Sequence, residues 1–345
     1  MAYTTIPKST DYFNTKLYTG NYSTNAITGV GFQPDLTWIK TRTTAGENHY
    51  LFDVIRGVTK YLHSDTNAAQ GTNAATLTTF GSDGFTVGAN NSVNKSGEPL
   101  VSWNWKANGA SVSNTAGSIN STVSVNTTSG FSIVQYTGNA SQSQTVGHGL
   151  GVAPKLIIFK SSTSADDWSI CCPSVLGVDG RLTLNTTAAN SIGDNTFWNS
   201  TAPSSTLFSI GNNPRANASG QTIIAYCFAE IPGFSKMGSY EGNGNANGIF
   251  QHLGFKPAWV LIKNTTATEA YFLYDNKRGY NGSMAALFPD EAAADAFANN
   301  IDFLSNGFKI RTAGAILNGN TTKYIYMAFA SEPLVSTNGN AATAR

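Results

Sequence analysis

Two charged pairs are the residues here whose types and spacing could do chemistry. Asp53 and Arg56 sit in Tyr50-Leu-Phe-Asp53-Val-Ile-Arg56-Gly57, and Asp275 and Arg278 in Tyr271-Phe-Leu-Tyr-Asp275-Asn-Lys-Arg278-Gly279. A guanidinium grips carboxylates and similar polar groups with two parallel hydrogen bonds, so each pair could serve a sugar or carboxylate site. The other reading is a structural ion pair that locks the turn at a sheet corner, and it is the reading adopted for Asp53, Arg56, Asp275 and Arg278. Such a pair contributes about 0–1 kcal/mol if exposed. Losing one partner costs about 3–5 kcal/mol if it is buried.

The remaining candidates point away from catalysis. His148 and His252 occupy similar places ahead of a repeated Gly–Pro stretch, which suits hydrogen bonding to backbone; His49 and His63 have no such recurrence. No serine stands in a Gly-x-Ser-x-Gly elbow, and no Cys–His pair is suggested locally. Paired carboxylates can hydrolyse glycosides, but Asp166, Asp167 and Glu241 read as solvated loop residues. Cys171 and Cys172 are adjacent and Cys227 makes an odd count, so a closed disulfide framework is excluded, and no Cys/His spacing suits zinc. The Gly242–Gly248 loop lacks the lysine of a phosphate loop and the carboxylates of a calcium loop. No catalytic, cofactor-binding or metal-binding residue is therefore assigned, and the residues of any binding site stay unidentified.

The elements that must hold the charged pairs are written three times. Gly31-Phe-Gln-Pro34-Asp-Leu-Thr-Trp-Ile-Lys40, Gly151-Val-Ala-Pro154-Lys-Leu-Ile-Ile-Phe-Lys160 and Gly254-Phe-Lys-Pro257-Ala-Trp-Val-Leu-Ile-Lys263 share a turn, a proline and an apolar run closed by lysine. Internal repetition of this kind sets the architecture before any local reading does. The run is apolar on both parities, so it predicts a central strand covered on both faces, with Thr37 marking a wetter face in the first copy. Each copy opens on an aromatic and a Tyr-x-Gly step (Tyr18 to Gly20, Tyr136 to Gly138, Tyr240 to Gly242). Each has a strand around Phe85, Phe208 or Phe308.

The closing strands alternate. Val101, Trp103 and Trp105 face one way, with Ser102, Asn104 and Lys106 on a solvated face. Ile224, Tyr226, Phe228 and Ile325, Met327, Phe329 keep that phase, but their opposite faces are Ala225, Cys227, Ala229 and Tyr326, Ala328, Ala330. The sheets of the second and third copies should therefore lie against each other or against another chain.

These readings give an all-β fold of three tandem antiparallel β-sandwich repeats, jelly-roll-like, with one short helix in the third, placed at Pro289–Phe297. The expected units are residues 1–107, 130–231 and 232–334. Residues 108–129 are a linker or extended arm and 335–345 a tail.

Composition narrows the partners. The 345 residues carry net charge +1 with only 12% charged residues, which argues against nucleic acid binding. No apolar run approaches the roughly 20 residues of a membrane helix. The start shows neither the basic nor the apolar segment of a signal peptide, so synthesis in a cytoplasm is expected.

The segment Asp11-Tyr-Phe-Asn-Thr-Lys-Leu-Tyr-Thr-Gly20, the run His148-Gly-Leu-Gly-Val-Ala-Pro154 with its apolar strand, and Tyr324-Ile-Tyr-Met-Ala-Phe-Ala330 resemble a repeated domain of unknown function. That domain occurs in tail-fibre-like virion proteins of tailed bacteriophages, notably of marine bacteria and cyanobacteria. The likeness runs from about Tyr12 to Pro333. It implies a non-enzymatic virion structural protein at the particle surface: a tail-fibre-like or other external appendage subunit. Its implied partners are other virion proteins, further copies of itself in a trimer, and host surface glycan. A capsid decoration or head fibre is the alternative, and a glycan-active enzyme a third. The family supplies no site residues, and the second copy departs by lacking the Asp and Arg. No coiled-coil or shaft segment of a long fibre is present.

Overall fold

The computed structural model describes residues 4–333; the tail at 335–345 lies outside them. Three sheets share one strand order. In each, an opening strand (Phe13–Thr19, Phe131–Thr137, Ser235–Glu241) pairs with a closing strand (Pro99–Trp105, Thr222–Phe228, Lys323–Pro333). The closing strand pairs in turn with the strand of the repeated stretch (Leu36–Thr41, Leu156–Ser161, Phe255–Asn264). That strand pairs with a corner strand (Tyr50–Asp53, Ser169–Cys171, Phe272–Asp275). All of these pairings are antiparallel. The fold is all-β. The apolar runs are interior strands bonded on both sides, and their residues are buried on both parities. Pro257 falls inside its strand at a register shift, where a missing N–H is tolerated.

A smaller sheet covers one face of each large one. Asn25–Thr28, Gly84–Val87 and Leu77–Gly81 form the first, Gln144–Gly147 and Leu207–Ile210 the second, and Phe250–His252, Gly307–Ile310 and Ile301–Leu304 the third. Ile39, Phe52 and Leu100 meet Ile27, Leu77 and Phe85 inside the first sandwich. Phe159, Ile223 and Cys227 meet Val146, Phe208 and Ile210 inside the second.

The other faces of the three large sheets meet in one shared core. Strand register makes Trp105, Phe228 and Phe329 equivalent. Trp105 lies between Phe13 and Leu36, Phe228 between Phe131 and Leu156, and Phe329 between Ser235 and Trp259. Their rings form a triangle with centroid separations of 6.4, 5.7 and 5.9 Å. The shared core is thus made by the large-residue faces (Ile224, Tyr226 and Phe228 in the second sheet), whereas the small-residue face of Ala225, Cys227 and Ala229, expected to need a partner, turns to the small sheet of its own sandwich.

Loops close the same circuit at the rim. Gln70 N donates to Ser162 O, joining first to second; Glu269 N donates to Thr187 O, joining second to third; Gly46 N donates to Ala292 O, joining third to first.

One motif explains the Tyr-x-Gly openings. The hydroxyls of Tyr18, Tyr136 and Tyr240 donate to Val93, Ala216 and Leu317 O, each at 2.7 Å. Those carbonyls belong to short helical turns, Asn91–Asn94, Pro214–Asn217 and Ala315–Asn318. A Cβ on Gly20, Gly138 or Gly242 would sit 2.1, 2.4 or 2.2 Å from a backbone oxygen just past each turn. Tyr136→Phe should cost about 1 kcal/mol, the net value of one hydrogen bond, in urea unfolding; an unchanged midpoint would count against the motif.

Three expectations need correction. Pro289–Phe297 is not a helix: Ala296–Ala298 is a strand paired with Met284–Leu287. Alanine propensity yields to tertiary bonds there, since Asp290 Oδ1 accepts from Tyr271 N and Asp295 is held by Arg42 and Arg278. The helical turn in this part of the chain is Ala315–Asn318 instead. Thr37, Ser102 and Asn104, expected on a wetter face, are not solvated but buried. Thr37 Oγ1 donates to Asn104 Oδ1, and Asn104 Nδ2 donates to Asn14 O and Ser102 Oγ, so polarity is satisfied laterally. Finally, residues 108–129 are not a free linker: Val112–Asn114 and Ser121–Asn126 extend the second large sheet beyond Phe131–Thr137.

Candidate functional site

The two charged pairs lie in the shared core. Asp53 Oδ2 is 2.5 Å from Arg56 Nε, and Asp275 Oδ2 is 2.5 Å from Arg278 Nε, with all four side chains essentially inaccessible. The local chain builds each site alike. Asp53 Oδ1 accepts from Ile55 N and Arg56 N, Asp275 Oδ1 from Lys277 N and Arg278 N. Each guanidinium reaches back to a carbonyl two residues before its aspartate, Leu51 O or Leu273 O. Burial works against the Arg56 and Arg278 charges, but the adjacent carboxylates more than offset it and hold both pKa values above the usual range.

Both pairs bridge neighbouring sheets. Tyr226 OH of the second sheet donates to Asp53 Oδ2 at 2.8 Å, and Trp103 Nε1 of the first donates to Asp275 Oδ2 at 2.9 Å. Trp103 and Tyr226 are equivalent by register, and the third member of that set is Met327. The residue standing where the aspartates stand in the second sheet is Cys172. Both Cys172 and Met327 lie in the shared core. The charge missing from the second copy is thus accompanied by the loss of its donor in the third, and no carboxylate is stranded there.

Residues 8–333 match a domain of unknown function, DUF7483, across nearly all of the described structure. The chain belongs to that family. No curated protein and no solved structure matches it.

In this DUF7483 chain the lysine that ends each repeated stretch is also buried. Lys40 Nζ donates to Thr41 O, Lys160 Nζ to Ser161 O and Ser164 O, and Lys263 Nζ to Asn264 O, Ala267 O and, from the second sheet, Thr187 O. Burial pulls all three pKa values down to about 8. Between pH 8 and the ordinary lysine value near 10.4, the unfolded chain binds a proton that the folded chain has released. Stability therefore rises with pH in that window, by at most about 1.4 kcal/mol per unit per lysine. The buried thiols oppose this: Cys172, pushed up to about 11 by burial, keeps its proton when folded and loses it when unfolded. A difference isolates the lysine. The stability of the native chain minus that of Lys160→Met should grow from about pH 8 upward in denaturant titrations, whereas a constant difference from pH 7 to 10 would refute the assignment.

The other candidates are dispersed. His148 is buried, with Nε2 near Ser204 O and Nδ1 accepting from Leu150 N; burial lowers its pKa. His252 is exposed, and its carbonyl rather than its ring takes hydrogen bonds. His49 accepts from Trp38 Nε1 in the core, and His63 Nδ1 lies by His49 O. Asp167 pairs with Arg215 rather than facing solvent alone. Cys171, Cys172 and Cys227 are free and buried. Among the described residues no grouping of His, Cys, Asp and Glu could hold a metal ion, and no helix is long and apolar enough to cross a membrane.

The sequence reading passed over Asn94, Asn217 and Asn318. Each is fully buried. Their Nδ2 groups donate to Gly88, Gly211 and Thr312 O, and their Oδ1 atoms accept from Asn21, Asn139 and Asn243 N. The available signal was the shared Asn-x-Ser-Gly of Asn94–Gly97 and Asn217–Gly220.

Proposed function

We propose that the chain is three copies of one β-sandwich unit serving as a non-enzymatic subunit on the surface of a bacteriophage particle. The proposed role is a tail-fibre-like or other external appendage that touches other virion proteins and host surface glycan. The observation that carries this is the fate of the recurring ionisable residues. Asp53, Arg56, Asp275, Arg278 and the three lysines are all buried and bonded within the protein. Such groups serve rigidity, and they leave recognition to exposed loops on a stiff scaffold. The resemblance to tail-fibre-like domains supplies the setting, an associational warrant.

The test is mass spectrometry of purified particles from the source phage, followed by cryo-EM. The subunit is expected in stoichiometric amount, with density at the tail. Absence from intact virions would overturn the reading. Decoration of the head is the second reading, favoured by the triangle of equivalent rings, since a body of near-threefold form fits a threefold site on a lattice. Density on the capsid would select it.

A further inference from the structure

The corner that holds Asp275 and Arg278 carries a different outer surface from its counterpart in the first sheet. Where the first has Val54, Ile55 and Val58, the third has Asn276, Lys277 and Tyr280. Tyr280 is 74% exposed, against 38% for Val58. A single exposed aromatic is ordinary on a protein surface, but a tyrosine ring beside a cleft offers an apolar face and a polar tip on which a ligand can pack.

The support is rigid. Tyr280 and Ser283 exchange backbone hydrogen bonds across a tight turn. Gly282, at φ +94°, donates to Asp302 Oδ1. Asn281 closes a two-way bond with the next strand: Nδ2 donates to Phe303 O, and Phe303 N donates to Oδ1. The backbone that carries the ring is thus fixed before any ligand arrives, which removes part of the ordering cost from binding.

Tyr280 borders an open cleft of about 430 Å³, lined also by Lys256, Asn276, Lys277, Asn281 and Phe303. That is within the roughly 300–1,000 Å³ of small-molecule sites. Oδ1 of Asn276 is buried and has no hydrogen-bond partner among the described residues. The lining includes two lysines and no carboxylate. Asp302, beneath the turn, is engaged by Gly282 N and Arg311. Glu332 stands across from Lys256 in the strand register, and no ion pair joins them among the described residues.

We propose that this cleft binds an acidic saccharide, with a sugar ring stacked on Tyr280, a hydroxyl met by the amide of Asn276, and the carboxylate or sulfate met by Lys256 and Lys277. The proposal deepens the reading of the chain as a glycan-touching external subunit and rests on it for the source of the ligand.

The experiment is affinity electrophoresis and calorimetry of the full chain with oligogalacturonate, sialyllactose and a sulfated heparin tetrasaccharide, with maltohexaose as the neutral comparison. At least one acidic probe should bind in a salt-sensitive manner, and more tightly than maltohexaose. Tyr280→Ala should weaken it about tenfold or more, equivalent to about 1.4 kcal/mol. Lys256→Ala/Lys277→Ala should remove the salt dependence. Tyr22→Ala, at a second exposed aromatic, should bind as the native chain does, and melting temperatures should stay level. Undiminished binding by Tyr280→Ala, equal binding of maltohexaose, or no binding of any acidic probe would each overturn the assignment. Virion association is measured separately. A chain found in particles whose host binding ignores Tyr280 keeps the external role and loses this site. A chain absent from particles that still binds through Tyr280 keeps the site and loses the role.

Discussion

Asp53→Ala should lower unfolding stability by about 3–5 kcal/mol, the cost of stranding a buried charge. Among the described residues Arg56 keeps no other carboxylate within an ion pair, and Tyr226 OH loses its acceptor. The amides of Ile55 and Arg56 lose theirs as well. The third sheet provides an internal comparison. Asp275→Ala should cost less, because Arg278 Nη1 retains Asp295 at 2.6 Å. Removing both charges from the first pair, as Asp53→Leu with Arg56→Met, should recover part of the loss, since an apolar pair leaves nothing unpaired. Equilibrium denaturation of the four proteins checks this. Equal losses for Asp53→Ala and Asp275→Ala would mean that Asp295 does not compensate.

The second large effect is at one corner of the ring triangle. Trp105→Ala is expected to cost about 3–5 kcal/mol through the cavity left behind. The indole packs on Phe13, Phe228, Trp259 and Phe329, drawn from all three large sheets. The loss should therefore appear as a shift of one cooperative transition, with no separate early melting of the first sheet. Trp105→Phe should cost clearly less than Trp105→Ala, because the phenyl ring leaves a smaller cavity. Phenylalanine already fills the two equivalent positions, and the indole N–H has no acceptor to lose among the described residues. Calorimetry would reveal a split transition, which would contradict a shared core.

Much of this architecture was legible because it rests on periodicity. The apolar parity of Leu156 to Phe159 and of Trp259 to Ile262 placed those strands in sheet interiors, where they lie. The alternation of Trp103 and Trp105 identified a buried face. The same alternation misled at Ser102 and Asn104, since a polar side chain bonded to adjacent strands is indistinguishable in sequence from one facing water. The alanine run at Glu291–Ala296 failed for a related reason: ion pairs and backbone bonds from distant residues override local propensity. The charged pairs were found as residues, but not as bridges between sheets. Nothing near Asp53 in the chain announces Tyr226, 173 positions away. Tyr280 was hidden among many tyrosines, because exposure is a property of the folded turn alone.

The rim contacts run first to second, second to third and third back to first, so the circuit closes within one polypeptide. A homotrimer of identical units must accept every mutation three times over, once per subunit. Here a single codon change alters one corner and spares the other two. Cys172 facing a core that offers Met327, and Tyr280 standing where Val58 stands elsewhere, are differences that only such an arrangement can accumulate. Covalent linkage thus frees each position to diverge on its own while the joint interior keeps its form.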